Sequence, residues 1–512
     1  MSSSFQLLDV SIVVAYLSAL AAVGAYFSRR RQSVDELLVA SRRMPWLAVG
    51  LSLMAALNSG IDYLTQPSAT IQYGLVLVVG VLSWVIVYAW VSKVVLPFYR
   101  RLEFYSVYEY LEARFDVRVR LLGAGIFILW RLGWMATALY VPALAVNAAT
   151  NGAVHLTALI VVLGVLVTLY TTFGGIQAVI WNDVLQFCVM FGGLAATIAV
   201  VVSSVPGGMG EIWTTAAGAG KTALWVPIAG GAFFTQPMTL PALLMALIVG
   251  RMAQYTSDQV LVQRLQTTRS VADARQAFIV HAAGDALWMI GLSLVGLTLF
   301  AYFQYRPGPA DLPPDRLLPY FMAQAFPSGA TGLVIAAILA ASLSSVDSAI
   351  HSCSSVIYID FYRRILQDRV PAAGGRNDEH DNVRVSRLIN VIVGVAGTTL
   401  ACNVASIGTL LEIANKLINA FTGPLFGIFL LAMFSRRATS VAALAGGVTG
   451  AMVAYGIAYH SSIGFLWPST FGLAATLGVG VLVTLVRGAV DTGARFTWRA
   501  VMNAPGQAAA SP

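Results

Sequence analysis

The chain has 512 residues, of which 58% are hydrophobic and 11% charged, and its mean hydropathy is +0.76. Soluble domains carry about 25% charged residues, so this composition excludes a nuclear, secreted or cytosolic enzyme and points to a polytopic membrane protein. The formal charge of +8 is better explained by helix orientation than by nucleic-acid binding.

Apolar stretches long enough to span a hydrocarbon core of about 30 Å recur almost end to end. They predict about 13 transmembrane helices, near 9–27, 46–66, 72–97, 121–147, 155–173, 176–202, 238–262, 278–303, 329–358, 387–404, 408–434, 440–459 and 465–486. No barrel-type alternation occurs, so the expected fold is an all-α bundle. The start, MSSSFQLLD, has no basic region ahead of its apolar run and reads as a retained span. Arginine clusters follow the first, third, seventh, ninth, eleventh and last spans, whereas Lys221, Arg306 and Arg316 lie on the opposite side. Basic loops stay cytoplasmic, which predicts an external N-terminus and a cytoplasmic C-terminus in the cell (inner) membrane. The loops 204–237 and 304–328 are then external, with room for short surface helices. Cys188, Cys353 and Cys402 sit in apolar stretches without disulfide or zinc spacing.

Charged groups inside a bilayer are costly and mark functional positions unless they pair. The acids are Asp62, Asp183, Asp258, Asp285, Asp347 and Glu412, and the bases Arg131, Arg251 and Lys416. Asp258, Asp285 and Glu412 best fit structural ion pairs near helix ends. The second span carries Leu57-Asn58-Ser59-Gly60 at its middle, which predicts an unwound segment whose freed carbonyls bind a cation. In the ninth span Ala341, Ser344 and Ser345 share one helical face and Ser348 extends it. Hydroxyls and carbonyls are hard oxygen ligands suited to an alkali cation. Asp183 reads as a cation ligand or proton carrier. The seventh span is polar at Gly250-Arg251-Met252-Ala253-Gln254 and looks broken there. Two broken spans, five apart, fit a five-plus-five inverted repeat. Gly446 and Gly450 form a GxxxG packing motif.

The stretches GGIQAVIWNDVLQ (174–186), SDQVLVQRLQTTRSVADAR (257–275) and AAILAASLSSVDSAIHSCSSVIYIDFYRR (336–364) together resemble the sodium:solute symporter family, over roughly residues 9–486. The resemblance implies a LeuT-type inverted repeat with flanking helices. The expected division is an extra N-terminal helix and basic cytoplasmic loop (1–45), a first repeat (46–205), an external loop (206–237), a second repeat (238–434), two C-terminal helices (435–487) and a cytoplasmic tail (488–512). It further implies a sodium site built from Ala55, Asn58, Ala341, Ser344 and Ser345. A second cation would use Asp183, with Ser348 and the neighbouring Asp347. Solute contacts would fall on Ser59, Asp62, Arg251 and Lys416, with Arg131 and Trp134 on the facing span, and Tyr255 would be an inner-gate aromatic.

Sugar-binding members carry neutral amides at several of these places. One acid and two bases here argue instead for a small polar organic solute bearing a carboxylate, since a buried Arg can clamp one bidentately. Asp62 would meet an amine, or form a gate pair with Arg251 or Lys416 that never touches solute. The expected activity is sodium-coupled symport by alternating access. No cofactor is expected beyond Na+ as coupling ion, and no enzyme chemistry, nucleic acid or obligate protein partner. The alternatives are a proton-coupled carrier using Asp183 or Asp347, a neutral sugar or polyol substrate, and a transporter-like sensor.

Overall fold

The computed structural model describes residues 6–29, 33–102, 104–150, 152, 154–228, 230–308, 312–367, 379–403, 410–487 and 493–504, without the side chains of 148–149, 315, 366–367, 379–380 and 410–420. Among the described residues, twenty α-helices follow one another: α1 (Leu7–Ser28), α2 (Val34–Val39), α3 (Trp46–Leu57), α4 (Gly60–Tyr73), α5 (Ser83–Trp90), α6 (Leu96–Leu102), α7 (Val107–Arg114), α8 (Val117–Ala149), α9 (Leu156–Ser203), α10 (Gly208–Gly218), α11 (Leu240–Ser257), α12 (Gln259–Gln266), α13 (Val271–Tyr305), α14 (Leu317–Ala325), α15 (Ala330–Val356), α16 (Glu379–Ala401), α17 (Leu410–Phe434), α18 (Ser440–His460), α19 (Pro468–Arg487) and α20 (Trp498–Asn503).

Among the described residues, nine helical stretches are long and apolar enough to cross a membrane, and the shorter Trp46–Leu57 and Phe421–Phe434 are apolar too. The expected count of about 13 is therefore not reproduced by length and composition. Part of the difference is that two long stretches each contain a break. Gly74 (φ +76) ends α4 inside Gly60–Leu102, and Gly175 (φ +64) interrupts α9. Both glycines hold a left-handed conformation that a side chain would disfavour. The loops 204–237 and 304–328 hold α10 and α14.

Polar residues start many of the helices. Ser59, Ser106 and Ser33 cap α4, α7 and α2 with a reciprocal acid three residues on, and Thr239 caps α11. The bundle is centred on α15, whose span is 94% buried, against 22% for Leu7–Ser28 and 28% for Pro468–Arg487. Outer faces of α1, α9 and α19 expose Leu7, Val162 and Val486, the surface a bilayer would cover. Gly446 and Gly450 lie against α19, where a Cβ on Gly446 would come within 2.5 Å of the Thr476 carbonyl.

Candidate functional site

The helix break in the second span falls where the sequence puts it. α3 ends at Leu57, Asn58 is extended (φ −94, ψ 117), and α4 starts at Gly60. A helix that stops leaves its last carbonyls without intrahelical donors. Here α15 supplies them. Ser344 Oγ donates to the Ala55 carbonyl at 2.8 Å and Ser345 Oγ to the Ala56 carbonyl at 3.2 Å. Both hydroxyls also reach the Ala341 carbonyl, at 3.0 and 3.4 Å. Ala55, Ala341, Ser344 and Ser345 are thus brought together and are buried. Asn58 is buried beside them, but its side-chain amide donates to the Met54 carbonyl at 3.0 Å and its edge lines a cavity.

Asp183, Ser348 and Asp347 also lie close together, with an arginine among them that the sequence reading did not place there. Arg264 donates to Asp183 at 3.0 Å, to Ser348 Oγ at 2.5 Å and to Ser52 Oγ at 2.9 Å. Ser52 in turn donates to Asp183 at 2.5 Å. Asp347 accepts from Tyr170 Oη at 2.9 Å and from Ser348 Oγ at 3.2 Å. Asp183 is therefore the partner of a buried guanidinium.

A cavity of about 320 Å³ opens beside the α3–α4 break, within the size range of small-molecule sites. Asn58, Asp62, Arg131, Trp134 and Arg251 line it, together with Gln66, Trp84, Trp130, Gln254 and Asp285. Both bases hold an acid partner. Arg251 pairs with Asp285 at 2.7 Å, donates to the Gly80 carbonyl at 3.1 Å and to Ser83 Oγ, and lies 4.1 Å from the Trp84 ring centre. The gate pair with Asp62 is not formed. Arg131 pairs with Asp258 and stacks on Trp130 at 4.5 Å, but its Nε has no hydrogen-bond partner.

Ser59 does not face the cavity. It is buried and caps α4, accepting from Ile61 N at 3.2 Å, while Asp62 accepts from Ser59 N at 2.7 Å. Tyr255 is not among the lining residues either. It is buried behind Trp84, 4.9 Å from the Phe278 ring centre. The side chains of Lys416 and Glu412 lie outside the described residues.

The second break is displaced from its expected place. α11 stays helical through Gly250–Gln254 and ends at Ser257, and Asp258 is the extended residue (φ −98, ψ 116). Its Oδ1 accepts from Val260 N at 3.0 Å. Asn58 and Asp258 thus share one backbone conformation, each following a helix end and preceding a side-chain-capped helix. Such matched breaks are the mark of an inverted repeat.

The sequence profile of the sodium:solute symporter family matches residues 37–450. The chain belongs to this family. A sodium/sialic acid symporter of Proteus mirabilis (strain HI4320) is 30% identical over 93% of this chain and 95% of its own length. A second, from Aliivibrio fischeri (strain ATCC 700601 / ES114), is 30% identical over 94% of both chains. The solved structure of a substrate-bound, outward-open Na+-coupled sialic acid symporter superposes with a TM-score of 0.86 at 29% identity, covering 95% of this chain and all of that one. The family consists of sodium-coupled transporters of the LeuT fold, so this chain is a multi-pass membrane transporter and not an enzyme.

Arg264, Trp84, Gln66, Gln254 and Trp130 were not singled out from the sequence as site residues. Gln66 and Gln254 carried a readable signal, as amides inside apolar spans. Trp84 and Trp130 carried none, because aromatics are common in spans for other reasons.

Proposed function

We propose that the chain imports a small carboxylate-bearing solute together with sodium, by alternating access, across the cell (inner) membrane. The observation that carries the sodium part is the meeting of the Ser344 and Ser345 hydroxyls with carbonyls freed by the α3 break. A hydroxyl that now donates to a carbonyl can turn its lone pairs inward, so that both oxygens become ligands of one small cation. Ala55, Asn58, Ala341, Ser344 and Ser345 would hold it. Binding there ties α3 to α15 and favours the state in which Asn58 and Asp62 face solute.

The carboxylate is assigned to Arg131. It lines the cavity, and one edge is fixed by Asp258. Arg251 is held by Asp285, the Gly80 carbonyl and Ser83 and shapes the cavity wall. Names of relatives that carry sialic acid, a sugar acid, agree with an acidic solute. A second coupling cation, sodium or a proton, has its place at Asp347. Tyr170 and Ser348 hydroxyls donate to it, whereas Arg264 pairs with Asp183.

Arginine-rich loops support an external N-terminus and a cytoplasmic C-terminus. The same proposal takes 46–205 and 238–434 as the two repeats, with 1–45 and 435–487 flanking them.

The test is uptake into proteoliposomes. Carboxylate accumulation should require an inward sodium gradient and rise with an inside-negative potential, which contributes about 2.3 kcal/mol per charge per 100 mV. Uptake that follows a proton gradient equally well without sodium would replace sodium by the proton at Asp347.

A further inference from the structure

The cavity is not uniform along its length. Along α4 the lining runs from Asp62 through Thr65 and Gln66 to Ala69 and Tyr73. Along α11 it runs from Gln254 and Arg251 to Leu247, Ala246 and Leu243. Both walls therefore grade from charged to apolar in the same direction, over about 16 Å of helix at 1.5 Å per residue. The apolar end is lined by Leu77, Met238, Phe465 and Leu466.

These residues are part of one small hydrophobic cluster apart from the main core, with Met238, Leu243, Ala246 and Leu466 buried in it and Tyr73, Leu77, Leu247 and Phe465 packed on it. The segment carrying Phe465 is fixed in place: Gly464 N donates to the Phe234 carbonyl at 2.7 Å. The α18–α19 connection is thus a wall of the solute cavity, although both helices lie outside the two repeats.

We propose that the solute is amphipathic, with a carboxylate at Arg131 and an apolar tail of several carbons lying between α4 and α11 beneath Phe465 and Leu466. The inference rests on the carboxylate reading above and narrows it. A tail in this half removes its own apolar surface and that of Leu243 and Leu247 from water together. A polyhydroxylated acid of the same length would place hydroxyls against Leu243, Ala246 and Leu247, which offer no partner, and burying an unpaired hydroxyl is unfavourable. The polar end selects the head and the apolar end selects the tail.

The experiment uses the purified full chain in sodium chloride, with choline chloride as control. Binding is measured for acetate, propionate, butyrate, pentanoate, hexanoate and phenylacetate, and for N-acetylneuraminate as the polyhydroxylated probe. Sodium-dependent affinity should tighten about three- to fourfold for each added methylene. The gain should flatten in Leu247→Ser and, independently, in Phe465→Ser, a wall position in a connecting segment. Affinity that is flat along the series, or N-acetylneuraminate binding more tightly than hexanoate, would overturn the apolar-tail assignment and leave the carboxylate reading standing. No sodium-dependent binding of any acid would overturn the carboxylate reading itself, and the tail with it.

Discussion

Ser344 donates its hydroxyl to the carbonyl of Ala55 across 2.8 Å, joining the largely buried α15 to the C-terminal end of α3. The two residues are 289 positions apart in the chain. The contact exists because α3 ends at Leu57 and leaves carbonyls to be satisfied.

Arg131 and Asp258 form a buried pair, so two effects should separate. Arg131→Gln alone leaves Asp258 buried without a cation and should cost about 3–5 kcal/mol of stability. Arg131→Gln with Asp258→Asn should recover most of that, yet bind carboxylates about 10–100-fold more weakly, as expected for a lost charge-assisted hydrogen bond. Arg251→Gln should lower stability while keeping carboxylate binding within a few-fold. Thermal unfolding and equilibrium binding on the same three variants check this.

Arg264 should be structural before it is functional. It is 1% exposed and bonds Asp183, Ser348 and Ser52. Arg264→Gln should destabilise by about 3–5 kcal/mol, and adding Asp183→Asn should restore part of the loss. Denaturation in detergent, compared across the two single variants and the double, measures the coupling.

The break at Asn58 and the serine face of α15 were legible because both are local patterns: three polar or flexible residues inside an apolar run, and hydroxyls at helical spacing. The second break was misplaced by a turn or more, because Gly250 and Gln254 look as helix-weakening as Ser257-Asp258. The pairs Arg251–Asp285 and Arg131–Asp258 were not legible, because 34 and 127 positions separate the partners. Pairing between distant spans is set by packing, which no local window contains. The role of Ser59 was readable, since Ser59 and Asp62 stand at capping-box spacing, and was overlooked in favour of solute contact.

α1 is built into the scaffold. Asp9 on α1 is buried and accepts from Gly329 N at 2.8 Å and Gly332 N at 2.7 Å, at the start of α15. A Cβ at Gly332 would lie 2.5 Å from Asp9 Cα. Gly332→Ala should therefore push α1 from α15 and cost about 1–3 kcal/mol. Asp9→Asn should be milder, because one acceptor oxygen remains. Melting temperatures of the two variants give the order.

Stability should also fall in acid through Glu112 on α7. Partial burial pushes its carboxyl up, but hydrogen bonds from Arg364 and Arg120, each at 2.7–2.8 Å, outweigh this and hold it below the usual range. A carboxylate with a depressed folded-state pKa contributes stability above its unfolded pKa of about 4.3 and loses that contribution as pH falls through the folded value. Glu112→Gln should flatten the acid limb below about pH 4.5 and leave neutral-pH sodium binding unchanged. Unfolding followed between neutral pH and acid in both proteins checks the sign.

The most direct measurement is sodium titration of thermal stability at constant ionic strength, with choline as the replacing ion, for the native chain and for Ser344→Ala with Ser345→Ala. A saturable, sodium-specific stabilisation in the native chain that moves to at least about tenfold higher sodium in the double variant, a loss of about 1.4 kcal/mol of binding, is the result predicted. An identical sodium response in both proteins would contradict a cation held between the α3 break and the serines of α15.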